Sequence, residues 1–163
     1  MANSSLVPVY KILFDEDFDY QEFDNRMKMQ KSVYLLTEMG VPVGNYGFRW
    51  YLHGPYSQDL HDDMYYENGR PVSDIKIFQD YDKRIDKLRA VIHSDKKGTY
   101  SVSNWMECVA SIRYIRDNVL PFDAAMEDVL AELSKRKKHL SQKTVNETAY
   151  KMVEELFRYD NTN

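Results

Sequence analysis

The chain has 163 residues, of which 43% are apolar and 29% charged, and its formal net charge is −4. These values are typical of one globular domain with a substantial core, and the acidic charge disfavours a duplex-binding domain, which usually carries a basic excess. The single cysteine, Cys108, excludes an internal disulfide and a multi-cysteine metal site. No apolar run approaches the roughly 20 residues of a membrane span, and the amino terminus lacks the basic start of a secretory signal, so we expect a cytoplasmic protein.

The pattern along the chain predicts a single domain over 1–163 that is mainly α-helical with a small β element, an α+β fold. The pattern before residue 24 is poorly periodic, and the stretch "FDEDFDYQEFD" alternates aromatic and acidic side chains. We interpret residues 1–23 as an extended lead-in, with a disordered tail as the alternative. The helical core then covers 24–159, and 160–163 are predicted to be a frayed tail. The lead-in is expected to dock through Phe14, Phe18 or Phe23.

The first strong helical pattern covers 25–39, where apolar residues recur on one face. Asp24 is predicted to cap its amino terminus, and Gly40 is predicted to follow its last turn. The residues expected on its buried face are Met29, Val33 and Leu36.

A short strand is predicted within 47–53, because apolar and polar residues alternate there. In this alternation Trp50 and Leu52 face the core. Gly54 and Pro55 are predicted to end the strand.

After residue 56 the pattern predicts helices separated by polar turns. Ser57 is predicted to cap a helix over 58–67, because its hydroxyl is well placed to accept from the first free N–H groups. Four later helices are predicted over about 81–93, from Ser103 to about 118, from Asp123 onward, and over about 144–159.

Two stretches, "MKMQKSVYLLTEMG" and "FRWYLHGPYSQDL", carry a family resemblance. The first places Gln-Lys-x-x-Tyr-Leu-Leu on a helix, and the second joins an aromatic strand to Gly-Pro-Tyr-Ser and a new helix. Over Arg26 to Leu60 this arrangement resembles the YwgA-type family of small bacterial proteins. More distantly it is similar to the Panacea (SocA-like) antitoxin domain, which also has a tyrosine-bearing helix followed by Trp-x-x-Gly-Pro.

The resemblance implies a compact helical domain, often with a winged-helix-like element, and no established catalytic residues. Panacea-like members neutralise toxins by direct protein contact, so the resemblance implies an antitoxin-like or defence-associated role with a protein partner. This chain departs from the Panacea pattern at Tyr56-Ser57 and in the acidic, tyrosine-rich segment after Leu60.

The stretch 49–67 combines scaffold residues with a predicted partner-binding surface. Turn and cap chemistry accounts for the scaffold residues, which are Trp50, Gly54, Pro55 and Ser57. An exposed aromatic and basic patch has the composition of interface hot spots, and it comprises Arg49, Tyr51, His53 and Tyr56. The adjoining acidic, tyrosine-rich helix favours a partner with a basic surface. The predicted partner-binding residues are Arg49, Tyr51, His53, Tyr56, Asp59, Asp62, Asp63, Tyr65 and Tyr66.

No catalytic, metal or cofactor site is predicted. His61 and the acids around it lack the spacing of metal-ligand motifs, and neither a nucleophile elbow nor a phosphate-binding glycine motif occurs. Cys108 lies on a predicted helix among apolar residues, where a buried thiol is expected. An enzyme with a dispersed site stays a further hypothesis, which a deep pocket gathering His53 with acids would support.

The alternative function is a winged-helix-like regulator that binds nucleic acid through the basic run at 135–139. A solvated helix end is the structural interpretation of the same run. Acids on the helix over 58–67 would repel phosphates, which disfavours DNA recognition by that helix. The residues predicted for this alternative are Lys96, Lys97, Lys135, Arg136, Lys137 and Lys138.

Overall fold

The computed structural model describes residues 3–70 and 80–158, so the tail predicted at 160–163 lies outside the described residues. The described residues form seven helices and a two-stranded antiparallel sheet, which confirms the mainly helical α+β class. None of these helices combines the length and apolar character needed to cross a bilayer. In chain order the elements are α1 (Leu6–Phe14), α2 (Phe23–Glu38), β1 (Arg49–Tyr51), β2 (Gly54–Tyr56), α3 (Gln58–Glu67), α4 (Asp82–Ile92), α5 (Val102–Asn118), α6 (Met126–Arg136) and α7 (Lys143–Leu156).

Helix α5 is the centre of the fold, and α2, α4, α6 and α7 pack against it. Its face bearing Trp105, Val109, Ile112 and Ile115 is completely buried, as the apolar spacing predicts. The indole N–H of Trp105 donates to the carbonyl of Val91 at 2.8 Å, so the polar edge of this large ring is satisfied in the core.

Two helix starts differ from the predicted ones. Helix α5 begins after Ser101, whose hydroxyl accepts from the N–H of Asn104 at 3.1 Å, so Ser101 and not Ser103 is the cap. Helix α6 begins at Met126 rather than at Asp123, because a turn occupies the preceding residues.

Helix α2 also begins earlier than predicted. It starts at Phe23, so Asp24 lies inside the first turn, where its charge favours the positive end of the helix dipole, instead of capping it. Gly40 follows the helix with a φ of 81°, the left-handed conformation that a glycine tolerates after a last turn.

The extended lead-in predicted for 1–23 is wrong, because most of its apolar residues form α1. Leu6, Val9, Tyr10 and Leu13 are completely buried on one face of this helix. Pro8 lies in the first turn, where backbone N–H groups have no acceptor within the helix, so it does not break the structure.

An ion pair fastens the end of α1 to α4. The guanidinium of Arg89 donates to both carboxylate oxygens of Asp15, at 3.0 and 2.6 Å, and to the carbonyl of Ile12. Of the aromatic residues expected to dock, Phe14 and Phe18 are buried, whereas Phe23 is half exposed.

The predicted strand is one half of a hairpin. β1 and β2 pair antiparallel, with Trp50 opposite Pro55, so Gly54 and Pro55 form the second strand instead of ending the first. The turn between the strands takes Leu52 out of the alternation, and its side chain is 73% exposed rather than facing the core. Trp50 is partly buried, with the guanidinium of Arg136 5.0 Å from its ring centre.

The second strand approaches the core closely because of a glycine and a glutamine. Gly54 has a φ of 92°, and a Cβ there would lie 2.7 Å from the hydroxyl of Ser111 on α5. The amide of Gln30 on α2 bonds both backbone groups of Ser57, at 2.8 and 2.9 Å. The hydroxyl of Ser57 accepts from the N–H of Leu60 at 3.2 Å and caps α3.

Substituting Gly54→Ala is expected to destabilise the fold more than Gly69→Ala. Both glycines are left-handed, so each alanine adds backbone strain of about 1–2 kcal/mol. Only Gly54 adds a collision with Ser111, since a Cβ at Gly69 meets nothing within 4 Å. Urea unfolding of the two variants tests this, and equal losses of unfolding free energy would contradict the close packing of the hairpin on α5.

Candidate functional site

Aromatic and apolar side chains from three segments meet on one face of the protein. Phe23 begins α2, Tyr51 and Leu52 come from the hairpin, and Tyr65 and Tyr66 lie on α3. Each of these five side chains is at least half exposed. We call this face the aromatic surface; it comprises Tyr20, Phe23, Tyr51, Leu52, His53, Tyr56, His61, Tyr65 and Tyr66.

Ring contacts make one half of the aromatic surface continuous around His61. Its ring centre lies 5.6 Å from that of Tyr20 and 6.3 Å from that of Tyr56. Tyr56 in turn contacts Tyr51 at 5.2 Å, and Tyr20 contacts Tyr65 at 5.5 Å. The hydroxyl of Tyr20 is 2.9 Å from Nε2 of His61, so a hydrogen bond also joins the loop before α2 to α3.

The other half of the aromatic surface is ordered by Phe23 and Arg26. Phe23 contacts the ring of His53 at 5.1 Å across the gap between α2 and the hairpin. The guanidinium of Arg26 lies 5.2 Å from the ring centre of Tyr20 and 5.7 Å from that of Phe23, and it donates to the carbonyl of Tyr20. These cation–π contacts fix the loop before α2 against the surface.

Three carboxylates form an acidic edge beside the aromatic surface. Asp59, Asp62 and Asp63 on α3 line a pocket of about 690 Å³ together with Tyr66. Asp63 accepts from the hydroxyl of Tyr46 at 2.7 Å, whereas Asp59 and Asp62 are exposed. The acidic edge therefore presents negative charge next to exposed rings.

The structure gathers most of the residues predicted to bind a partner. Tyr51, His53, Tyr56, Tyr65 and Tyr66 lie in the aromatic surface, and the three aspartates form its edge. Arg49 is exposed at the start of β1, and in the described part of the chain it makes no ring contact with the surface.

Sequence reasoning missed Tyr20, Arg26 and Leu52 as surface residues and weighed His61 only as a metal ligand. The alternating aromatic and acidic residues before α2 are the one signal for Tyr20, and this pattern favours an extended lead-in. Among the described residues no three His, Cys, Asp or Glu side chains lie together as a metal site would require.

Beneath the hairpin lies a cluster of buried charges. Glu107 on α5 is completely buried, and its carboxylate lies 3.2 Å from Nζ of Lys137 and 2.7 Å from Nε2 of His139. Lys31 on α2 is 1% exposed and also faces Glu107. We call Lys31, Glu107 and Lys137 the buried charge cluster, and the half-exposed His139 adjoins it.

The buried charge cluster holds the hairpin from below. The ammonium of Lys31 donates to the carbonyl of Pro55 at 2.7 Å, and that of Lys137 donates to the carbonyl of Leu52. His53 lies at the turn with Nδ1 3.9 Å from Glu107. The hairpin part of the aromatic surface is thus positioned by charged groups in the core.

Burial changes the protonation of two groups in this region. Loss of solvation lowers the pKa of the Lys31 ammonium to about 7, although the charge of Glu107 acts in the opposite direction. Burial likewise lowers the pKa of the His53 imidazole, again opposed by Glu107. Lys31 is therefore only partly charged at neutral pH.

The basic run predicted to contact phosphates is partly internal. Lys137 is 3% exposed and paired with Glu107, so its prediction as a phosphate contact was wrong. Arg136 pairs with Glu132 at 2.7 Å and lies over the ring of Trp50.

The other predicted phosphate contacts differ in exposure. Lys97 donates to the carbonyl of Ile92 at 3.1 Å at the end of α4. Lys96, Lys135 and Lys138 are exposed.

Comparison with protein families, with curated proteins and with solved structures gives no match to this chain. The geometry of the aromatic surface, its acidic edge and the buried charge cluster is therefore the basis of the functional proposal below.

Substituting Glu107→Gln is expected to lower the free energy of unfolding by about 3–5 kcal/mol, because it leaves buried ammonium groups without their counter-charge. The matched control is Glu155→Gln, since Glu155 is 67% exposed and, within 3–70 and 80–158, its one ion pair is with Arg158 on the surface. Urea unfolding measures both. A Glu107→Gln variant as stable as the control would contradict the structural role of the cluster.

Raising the pH above neutrality is expected to stabilise the fold through Lys31. Its ordinary pKa of 10.5 applies to the unfolded chain, and its pKa in the fold is about 7. Between these values the unfolded chain holds a proton that the folded chain lacks, so the unfolding free energy rises with pH, by at most about 1.4 kcal/mol per pH unit.

The Lys31→Met variant isolates this contribution, because it keeps the other charged groups that face Lys31, Glu107 and Lys137. Urea unfolding of both proteins at about pH 7, 8 and 9 should show the wild type gaining stability relative to the variant. Parallel pH profiles would show that Lys31 is not desolvated in the fold.

Proposed function

We propose that this chain is a non-enzymatic protein-interaction module that binds a partner with a basic surface through the aromatic surface and the acidic edge. The observation that carries the proposal is the concentration of exposed apolar side chains on one face. Of the six large hydrophobic side chains exposed in the described residues, Phe122 alone lies outside the aromatic surface. Contiguous exposed apolar area of this kind is typical of interaction sites.

The chemistry of the surface favours binding of a protein. Tyrosine rings supply large contact area with little loss of side-chain freedom, and they are enriched at interface hot spots. The hairpin that carries Tyr51 is held by the buried charge cluster, so little ordering is required when a partner binds.

The charge pattern selects the class of partner. Asp59 and Asp62 are exposed beside Tyr65 and Tyr66, and carboxylates next to aromatic rings suit the lysine and arginine side chains of a basic partner. The motif resemblance extends the proposal to an antitoxin-like or defence-associated role, in which the partner is a toxin or another effector protein.

The nucleic-acid alternative has less support. Lys137 is enclosed by the buried charge cluster, and Lys97 and Arg136 are engaged within the chain. The exposed Lys96, Lys135 and Lys138 remain as cations for phosphate contact.

The double substitution Tyr51→Ala and Tyr65→Ala is expected to abolish partner capture while leaving the fold intact, because both rings are more than half exposed. The matched control is Phe122→Ala, which removes an exposed ring outside the aromatic surface. Affinity capture from the native cell, with nuclease treatment and quantitative mass spectrometry, compares wild type, double variant and control.

A protein retained by the wild type and by the control but lost from the double variant supports the proposal. Capture that is unchanged in the double variant would contradict it. Capture that disappears on nuclease treatment, and weakens steeply with salt, would favour the nucleic-acid alternative.

A further inference from the structure

A small pocket opens within the aromatic surface, between α2 and the hairpin. Its volume is about 250 Å³, below the range of about 300–1,000 Å³ typical of pockets for drug-sized ligands. Phe23, Met27 and Leu52 give it apolar walls, and Tyr51 and Tyr56 add ring faces. These dimensions and walls suit a flat, single-ring molecule.

The pocket is lined by one permanent cation, Arg26, and by the partly charged Lys31. Arg26, Lys31, His53 and His61 line it, and no carboxylate does among its lining residues, all of which are described. The remaining lining amide, Gln30, is already engaged by the backbone of Ser57. An otherwise acidic protein therefore has one pocket wall that favours an anion.

The nearby carboxylate acts on Lys31 from outside the pocket lining. Glu107 lies behind the pocket wall, 3.9 Å from His53, and it is paired with Lys137 and His139. Arg26 has no carboxylate partner among the described residues and uses its guanidinium on a carbonyl and on ring faces. A planar guanidinium beside ring faces suits a planar carboxylate.

We propose that this pocket binds a small aromatic carboxylate, with the ring between the tyrosine and phenylalanine side chains and the carboxylate toward Arg26 and Lys31. The same chemistry is found in a free aromatic acid and in an aromatic residue at the carboxyl terminus of a polypeptide. The proposal goes beyond protein interaction and does not rest on it, because it is measured on the isolated chain.

The primary test is an NMR titration of the isotope-labelled full chain with benzoate. Benzyl alcohol supplies the ring without charge, and acetate supplies the charge without the ring. Benzoate is expected to shift the amide signals of 26–31 and 51–56 saturably, with both controls binding about tenfold more weakly or worse. N-acetylphenylalanine distinguishes the sources, since tighter binding than benzoate identifies a carboxyl-terminal residue as the ligand.

Variants test the role of the cation. Arg26→Gln is expected to weaken benzoate binding about tenfold, whereas Arg26→Lys, which keeps the charge and loses the planar guanidinium, is expected to weaken it less. The distant control is Lys135→Gln, which lies on the exposed part of α6 and should bind like the wild type.

The dependence on pH supplies a second readout. A bound carboxylate stabilises the charged form of Lys31, so binding takes up a proton and its affinity falls as pH rises through the pKa of about 7. Glu107 and Lys137 also face Lys31 and modulate this shift, and His53 and His139 adjoin Glu107. Calorimetry in two buffers of different ionisation enthalpy detects the uptake.

Three results would overturn the proposal. Equal binding of benzoate and benzyl alcohol would show that the pocket does not select an anion. Shifts confined to residues outside the pocket would place the ligand elsewhere. Unsaturable shifts, with no difference between Arg26→Gln and wild type, would show that no site exists.

Discussion

The contact between Glu107 and the ammonium of Lys137 is the interaction on which the exposed face depends. A fully buried carboxylate is unfavourable unless cations and donors compensate for its lost hydration. Here the compensating ammonium also bonds the carbonyl of Leu52, and a second buried ammonium, that of Lys31, bonds the carbonyl of Pro55. The buried ammonium groups therefore hold the hairpin backbone in a defined position at the surface.

In this arrangement the backbone of the hairpin is held rigidly, while some of its side chains are exposed. The backbone of the hairpin is held by Lys31, Lys137 and the close approach of Gly54 to α5, while the side chains of Tyr51 and Leu52 point into solvent. A rigid backbone with exposed rings favours recognition, since side-chain and loop ordering otherwise oppose binding. The small pocket beside the hairpin has the same rigid wall, with Lys31 contributing to both.

Local signals predicted much of the fold. Ser57 as a cap identified the start of α3, and apolar spacing identified the buried face of α5. The first helix is not evident from the sequence, because Pro8 lies within it and a run of acids follows its last residue. The hairpin was read as one strand because Gly54-Pro55 is also the usual signal for a strand end.

The candidate site was less predictable, because it depends on contacts between distant segments. Tyr20 and Tyr65 are far apart in sequence and meet only when α2 and α3 are packed. Likewise, four basic residues stand together at 135–138, and nothing local distinguishes Lys137, which turns inward to a carboxylate on another helix, from its exposed neighbours.

The ion pair between α1 and α4 has a consequence for how the chain folds during synthesis. Asp15 and Arg89 are 74 positions apart, so the apolar face of the first helix lacks its contact with the fourth until that helix has left the ribosome. Leu6, Val9 and Leu13, which are completely buried in the fold, are therefore incompletely covered in the nascent chain. The amino-terminal helix is accordingly the segment where chaperone engagement during translation would be most useful.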